Sequence, residues 1–493
     1  MKLPSVSAFL LVATAEVWTT NAFSSSAGVH QLLPAQRPAF RLSASFTADA
    51  IQAMYNTDKS EENSISGEES ERQLSKSATG SSACPDPVKY TESILDPAAA
   101  NIPLSKDTLE YIPSILQHWA KSCSKEGAET AEKLIKRLDA ADSGFELNCR
   151  HYTMLVDAWA RSDSDDGAKN AEGVLTKMIS MGASNPSLAP TRVTYNTVMH
   201  AFLKKGDTKR ASVLLQEMED SSGAAPIRKD YHLLLGAYAQ RGDARKAEHL
   251  LKRMVERCRQ FGDRCLFTPD VQSYNFLLHA WASSEESGRA ARAEQILSAL
   301  EKEVSDGTVQ FELNPSTYTL AMLAVIRSKE SNTTERARAI FERALNKGFQ
   351  DDKYLYATML DAYAMSNAPS GSAEKAVQIL KELEASPHMN SVIDEWHYNI
   401  VLKALKTSDL QDAENIAESL LSSMEQKDLA DAISYTTSIA IFAQKGTASN
   451  ARRADDLLQR MKANGVAPNE HTLNTRKYLL LGGKSSHAFL ECF

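Results

Sequence analysis

The chain reads as an all-α solenoid of antiparallel helix-turn-helix repeats, and three observations carry that reading. A tyrosine recurs at the head of one apolar segment, an alanine recurs near the head of a second, and the pair returns every 36–44 residues. A helical period of that length describes stacked hairpins. Each has too little apolar surface to bury alone and is stable only against its neighbours.

The tyrosines are Tyr152, Tyr195, Tyr231, Tyr274, Tyr318, Tyr356, Tyr398 and Tyr435, at intervals of 43, 36, 43, 44, 38, 42 and 37 residues. Apolar pairs follow three and four residues later, as in Leu155/Val156, Val198/Met199 and Leu277/Leu278. Six residues after the tyrosine stands Ala in seven of the eight copies, and a bulky apolar residue comes next. Those offsets lie on one face of an α-helix.

The second helix is keyed on Ala171, Ala211, Ala247, Ala293, Ala337, Ala376, Ala413 and Ala454, with Val, Leu or Ile three residues on and mostly Met or Leu seven residues on. Small residues at fixed places let two helices approach closely while the long ones fill the groove. Lys205-Gly206-Asp207, Arg241-Gly242-Asp243 and Lys445-Gly446 supply the turns between helices, and Thr268-Pro269-Asp270, Leu313-Asn314-Pro315 and Ala467-Pro468-Asn469 close units. An earlier copy aligns Trp119 with Trp159 and Ala131 with Ala171, so the array starts near Leu109. About nine hairpins are expected over residues 105–469, followed by a capping helix and tail in 470–493.

The front of the chain has a different composition. Residues 1–22 carry Lys2, a short apolar run from Val6 to Ala15 and a small residue at Ala22, the pattern of a signal peptide. Residues 23–48 are rich in Ser, contain Arg37 and Arg41 and lack Asp and Glu, as transit peptides do. Together they resemble the bipartite presequences of plastids enclosed by additional membranes, which are cut before a Phe in a context like Asn21-Ala22-Phe23; a secreted or mitochondrial leader is the alternative. Residues 49–104 are acidic and Ser-rich with few aromatics, which predicts a flexible linker. No window is apolar enough to span a bilayer.

Lys and Arg total 55 against 63 Asp and Glu, so the net charge of −8 excludes a non-specific basic coat but not a local basic stripe. Six cysteines in 493 residues are too few and too scattered for a disulfide scaffold, and reduced, packing thiols are expected. There is no His-Glu-x-x-His motif, and Tyr478 takes the place of the first Gly that Gly482-Gly483-Lys484-Ser485 would need as a phosphate loop. No catalytic residue, metal site or cofactor is therefore expected, and the chain is read as a non-enzyme.

Val193-Thr194-Tyr195-Asn196-Thr197-Val198-Met199, Ser273-Tyr274-Asn275-Phe276-Leu277-Leu278, His397-Tyr398-Asn399-Ile400-Val401-Leu402 and Gly465-Val466-Ala467-Pro468-Asn469 resemble the pentatricopeptide repeat family, in its plain repeat class, over about 109–480. Most units are longer than that family's norm, and Ile112 replaces the tyrosine in the first. The resemblance implies a right-handed superhelix that binds single-stranded organellar RNA, one base per repeat. It also implies the readers: the residue after the tyrosine and the last residue of the unit. These pair Thr153 with Thr191, Asn196 with Ile227, His232 with Asp270, Asn275 with Asn314, Thr319 with Asp352, Ala357 with Asp394, Asn399 with Asp431, and Thr436 with Asn469. By the family's pattern Thr319/Asp352 resembles a G reader, Asn399/Asp431 a U reader, Thr436/Asn469 an A reader and Asn275/Asn314 a pyrimidine reader. The competing role for the same Asn, Asp and Thr residues is helix N-capping.

Nine or ten residues after the tyrosine position stand Lys121, Arg161, Lys204, Lys205, Arg241, Arg327 and Lys445. The family uses this place for RNA backbone contact; complementing the helix dipole is the other role open to them. The implied function is sequence-selective RNA binding in an organelle, a plastid or alternatively a mitochondrion, supporting RNA stability, processing, splicing or translation. A helical scaffold for protein partners is the rival.

Overall fold

The computed structural model describes residues 84–96, 105–139, 145–221, 223–262, 265–328, 330–365, 371–385, 393–445 and 447–480. The presequence segments 1–22 and 23–48 lie outside the described residues. Those described form twenty α-helices, one single-turn 3-10 helix at Pro186–Leu188 and no strand. No described helix is long and apolar enough to cross a membrane.

A short helix, α1 (Pro87–Leu95), precedes nine hairpins. The hairpins are α2 (Lys106–Lys121) with α3 (Lys125–Asp139), α4 (Cys149–Arg161) with α5 (Gly167–Gly182), α6 (Arg192–Lys204) with α7 (Thr208–Asp220), α8 (Arg228–Arg241) with α9 (Ala244–Phe261), α10 (Val271–Ser283) with α11 (Arg289–Ser305), α12 (Pro315–Ile326) with α13 (Thr333–Asn346), α14 (Lys353–Ala364) with α15 (Ser372–Ala385), α16 (Glu395–Lys406) with α17 (Ala413–Gln426), and α18 (Ala432–Lys445) with α19 (Ala448–Ala463). A last helix, α20 (Glu470–Leu480), follows. Two of the expected turns hold: Gly242 ends α8 in the left-handed region at φ 69°, and Gly206 does the same after α6 at φ 79°, a conformation that costs a residue with a Cβ; Gly446 of the third lies outside the described residues.

Two compact units divide the chain, one ending at Leu277 and one beginning at Leu278, so the division falls inside α10. In the first, α2 lies on α4, α4 on α6 and α6 on α8, and each of α3, α5 and α7 packs between its own first helix and the next. The second repeats the plan: α12, α14, α16, α18 and α20 stack in turn, with α13, α15, α17 and α19 behind them. The marker tyrosines are buried except Tyr356, which is half-buried, and the keyed alanines of the second helices are buried in every copy.

Three expectations change. Residues 49–104 are not wholly a linker: Asp86 caps α1 through the amide of Lys89 at 3.1 Å, Ile94 is buried, and Trp119 Nε1 donates to Thr91 Oγ1 at 2.9 Å, so α1 is docked on α2. In α17 the residue equivalent to the other keyed alanines is Ala417 rather than Ala413, which opens the helix; Leu420 and Met424 then take the +3 and +7 places. The thiols of Cys258 and Cys265 are joined as a disulfide rather than reduced. Gly262, at φ 57°, turns the chain back at the end of α9 and brings their Cα atoms to 5.2 Å, inside the range a disulfide spans.

A recurrent polar clamp explains why tyrosine marks the repeat. Tyr231 Oη donates to Glu219 Oε1 of the preceding second helix at 2.7 Å, and Arg253 and Arg257 of its own second helix lie on the same carboxylate, with Arg253 Nε 3.3 Å from Oε1. Tyr318 meets Glu301 and Arg343, Tyr398 meets Glu384 and Lys427, and Tyr435 meets Glu425 and Arg460. Tyr152 has a looser version, with Lys177 over its ring at 5.3 Å and paired to Asp139 at 2.9 Å. Burial and the hydrogen bond to Glu425 push the Tyr435 hydroxyl up to about 12, so it stays a donor at neutral pH.

Candidate nucleic-acid interface

The residue after each tyrosine sits one turn into a first helix. The last residue of each unit stands just before the next one. Asn314, Asp352, Asp431 and Asn469 each accept a hydrogen bond from the backbone amide three residues on, at 3.1, 2.9, 2.8 and 2.8 Å, and Asp270 accepts that of Ser273 at 2.9 Å. Thr191 and Asp394 form reciprocal capping boxes with Thr194 and His397. These residues are N-caps. An Asp or Asn oxygen holds more than one lone pair, so a cap keeps acceptor capacity to spare.

Because first helices stack on first helices within each unit, the residue after the tyrosine there faces the opening turn of the next repeat. Two of the expected pairs meet directly: His232 Nε2 lies 3.2 Å from Asp270 Oδ1, and Asn399 Nδ2 donates to Asp431 Oδ1 at 3.3 Å. Three meet through the third residue of the next first helix. Thr194 bridges Thr153 at 2.8 Å and Thr191 at 3.2 Å. Thr472 bridges Thr436 at 2.7 Å and Asn469 at 2.8 Å. Asp230 takes Asn196 Nδ2 on Oδ1 at 2.5 Å and the amide of Ile227 on Oδ2 at 2.7 Å. Thr319 instead turns its hydroxyl back to Pro315 O at 3.1 Å, and Ala357 has no polar group to offer Asp394. Sequence reasoning missed the bridging residues. The signal available was a polar residue directly before most of the marker tyrosines.

Access differs along the row. Thr153, Asn196, His232 and Asn399 are half-buried, whereas Asn275, Thr319, Ala357 and Thr436 are buried. The carboxamide oxygens of Asn196 and Asn399 are themselves enclosed and have no hydrogen-bond donor. One residue before the bridging position, Val193 and Ile433 expose apolar side chains at equivalent places.

The electrostatics follow from these contacts. Burial opposes ionisation of Asp270, but His232 and the amide and hydroxyl of Ser273 outweigh it and hold the carboxyl well below the usual range. Asp394 is held down in the same way against its burial, by His397 and Lys353. Asp352 moves up, because burial outweighs the amides of Leu355 and Tyr354 that favour its charge.

All seven expected backbone contacts stand at first-helix C-termini: Lys121, Arg161, Lys204, Arg241 and Lys445 as last residues of their helices, Lys205 and Arg327 as C-caps. Several already have partners. Arg161 pairs with Asp157 at 2.7 Å, Lys205 Nζ donates to Ser164 O at 2.8 Å, Arg241 lies 3.8 Å from Asp243, and Arg327 donates to Ala282 O at 3.3 Å. Lys121 and Lys204 are exposed. Arg327 is the most enclosed, and burial lowers its affinity for a proton.

Residues 105–261 match the family model described as the pentacotripeptide-repeat region of PRORP. No curated protein matches the chain. Among solved structures, the pentatricopeptide repeat protein PPR10 in complex with an 18-nucleotide psaJ RNA element is 21% identical with a TM-score of 0.43, covering 82% of this chain and 57% of that one. The structure of PPR10 from maize is 19% identical with a TM-score of 0.28, covering 82% of this chain and 67% of that one. The chain thus spans little more than half the length of the RNA-bound protein. The stretch similar to that repeat-region model, 105–261, holds α2 to α9.

Proposed function

We propose that the chain binds single-stranded RNA and selects among its bases, one nucleotide to a hairpin. The observation that carries this reading is the repeated juxtaposition of a first-helix side chain with the opening turn of the next first helix. It places hydrogen-bonding groups at repeat intervals, and at Asn196 and Asn399 the carboxamide oxygen, enclosed in the free chain, is left without a donor. An unstacked base offers a hydrogen-bonding edge to half-buried polar side chains at these places and an apolar face to side chains like Val193 and Ile433. Selection is strongest at the half-buried readers Thr153, Asn196, His232 and Asn399. The buried units act mainly as spacers that hold the strand's register.

The chain acts by occupying a transcript segment or keeping it unpaired, without chemistry of its own. That suits support of RNA stability, processing, splicing or translation in an organelle, here a plastid reached through the segments 1–22 and 23–48. Filter binding of the chain to randomised RNA, with and without Asn399→Ala plus Asp431→Ala, tests the reading. Sequence-biased binding that the double variant weakens is expected. Binding with no bias, or indifferent to the variant, contradicts base reading and favours the protein-scaffold alternative.

A further inference from the structure

We propose that Asp230, not Ile227, is the partner of Asn196 in base selection, so that the unit of Asn196 selects the same base as the unit of Asn399. This rests on the RNA-binding reading above. The unit of Asn196 breaks the pattern in sequence only because its last residue, Ile227, has no polar group. In space the missing carboxylate is restored from three residues further on. Asp230 reaches back from the first turn of α8: Oδ2 accepts the Ile227 amide at 2.7 Å and Oδ1 faces Asn196 Nδ2 at 2.5 Å. Its side chain is fully buried, with Arg192 Nη1 at 3.4 Å as counter-charge.

In the unit of Asn399 the carboxylate comes from the last residue itself. Asp431 Oδ1 faces Asn399 Nδ2 at 3.3 Å and also accepts the Ser434 amide at 2.8 Å. The two turns are mirror solutions: Ile227-Arg228-Lys229-Asp230 carries the acid at its end, and Asp431-Ala432-Ile433-Ser434 carries it at its start. A carboxylate can only accept. In both units, therefore, the carboxamide must turn its NH₂ to the acid and its oxygen away. Both oxygens are enclosed in the free chain and lack a donor, so a base that claims them must lodge against the turn. Two readers with the same residue, the same orientation and the same charge beside them present the same edge to a base. Asp230 is a positioning residue: it selects through Asn196.

Selection of bound sequences from a random RNA pool by the full chain tests this. The two units are five first-helix steps apart, α6 to α16. The wild type should enrich the same base at two positions five nucleotides apart. Asp230→Asn should flatten one of the two preferences about tenfold, the scale of one charge-assisted hydrogen bond. Ile227→Ala should leave both, and Asn399→Ala should flatten only the other. Ile227→Asp with Asp230→Ser, which recreates the Asp-x-x-Ser order, should restore the preference; this variant keeps the test decisive if Asp230→Asn melts below the assay temperature. Different bases at the two positions, or a preference that Ile227→Ala abolishes and Asp230→Asn spares, overturns the assignment. A wild-type profile flat at every position instead overturns RNA base reading itself.

Discussion

At the scale of single residues, one oxygen often has two tasks. Asp431 caps α18 and holds Asn399; Asp270 caps α10 and holds His232. The capping role weighed in sequence is thus met by side chains that also hold the first-helix residue, and the proposed reading role falls on the same atoms. Burial sets a second constraint on this layer. His151 accepts the Asn148 amide on Nδ1 at 3.2 Å, which requires a neutral ring there, and burial with the nearby Arg150 lowers its pKa from 6.5 to about 4. His279 is lowered to about 4 by burial and Arg327. For such a group the unfolded chain binds the extra proton first, so stability is intact above pH 6.5 and falls as pH drops toward 4. The loss reaches at most about 3 kcal/mol per histidine. Denaturant melts across this window should show that decline, and His151→Gln should flatten part of it. The family resemblance could point to the expected reader positions because their spacing from the tyrosine is fixed. It could not rank their exposure, because what covers Thr319 or Thr436 is decided by packing between helices dozens of residues apart.

At the scale of elements, the helices were legible because periodic apolar positions and turn residues coincide, as at Arg241-Gly242-Asp243, where the glycine takes the left-handed conformation the turn demands. The tyrosine was legible as a marker but not as a clamp. Its carboxylate comes from the preceding second helix and its cation from the following one, at separations that vary with the unit's length. α1 escaped detection because its nine residues are short and set in an acidic, Ser-rich stretch, and they are held on α2 through Thr91 and Trp119. The displaced alanine of α17 arose because both Ala413 and Ala417 fit the pattern; only packing distinguishes them. The clamp makes an energetic claim. Glu219→Ala would leave the mostly buried Arg253 and Arg257 without their counter-ion and should cost about 3 kcal/mol. Thermal melting of Glu219→Ala against Tyr231→Phe, which removes one hydrogen bond and should cost about 1 kcal/mol, checks the order. Equal melting temperatures would show that the ion pairs contribute nothing.

At the scale of the whole molecule, repetition turns one side-chain geometry into a series. A net charge of −8, with several of the basic residues already engaged within the protein, limits how much binding can come from phosphate attraction alone. On the proposed reading, discrimination comes from contacts made hairpin by hairpin. Deleting residues 395–431, one complete repeat, and selecting bound sequences from a random pool tests that most directly, with a melting curve to establish that the shortened chain folds. One module per nucleotide predicts an enriched motif shorter by one position, missing the base assigned to Asn399 and Asp431, with the flanking preferences brought together. A motif of unchanged length and spacing from the folded deletion variant would contradict it.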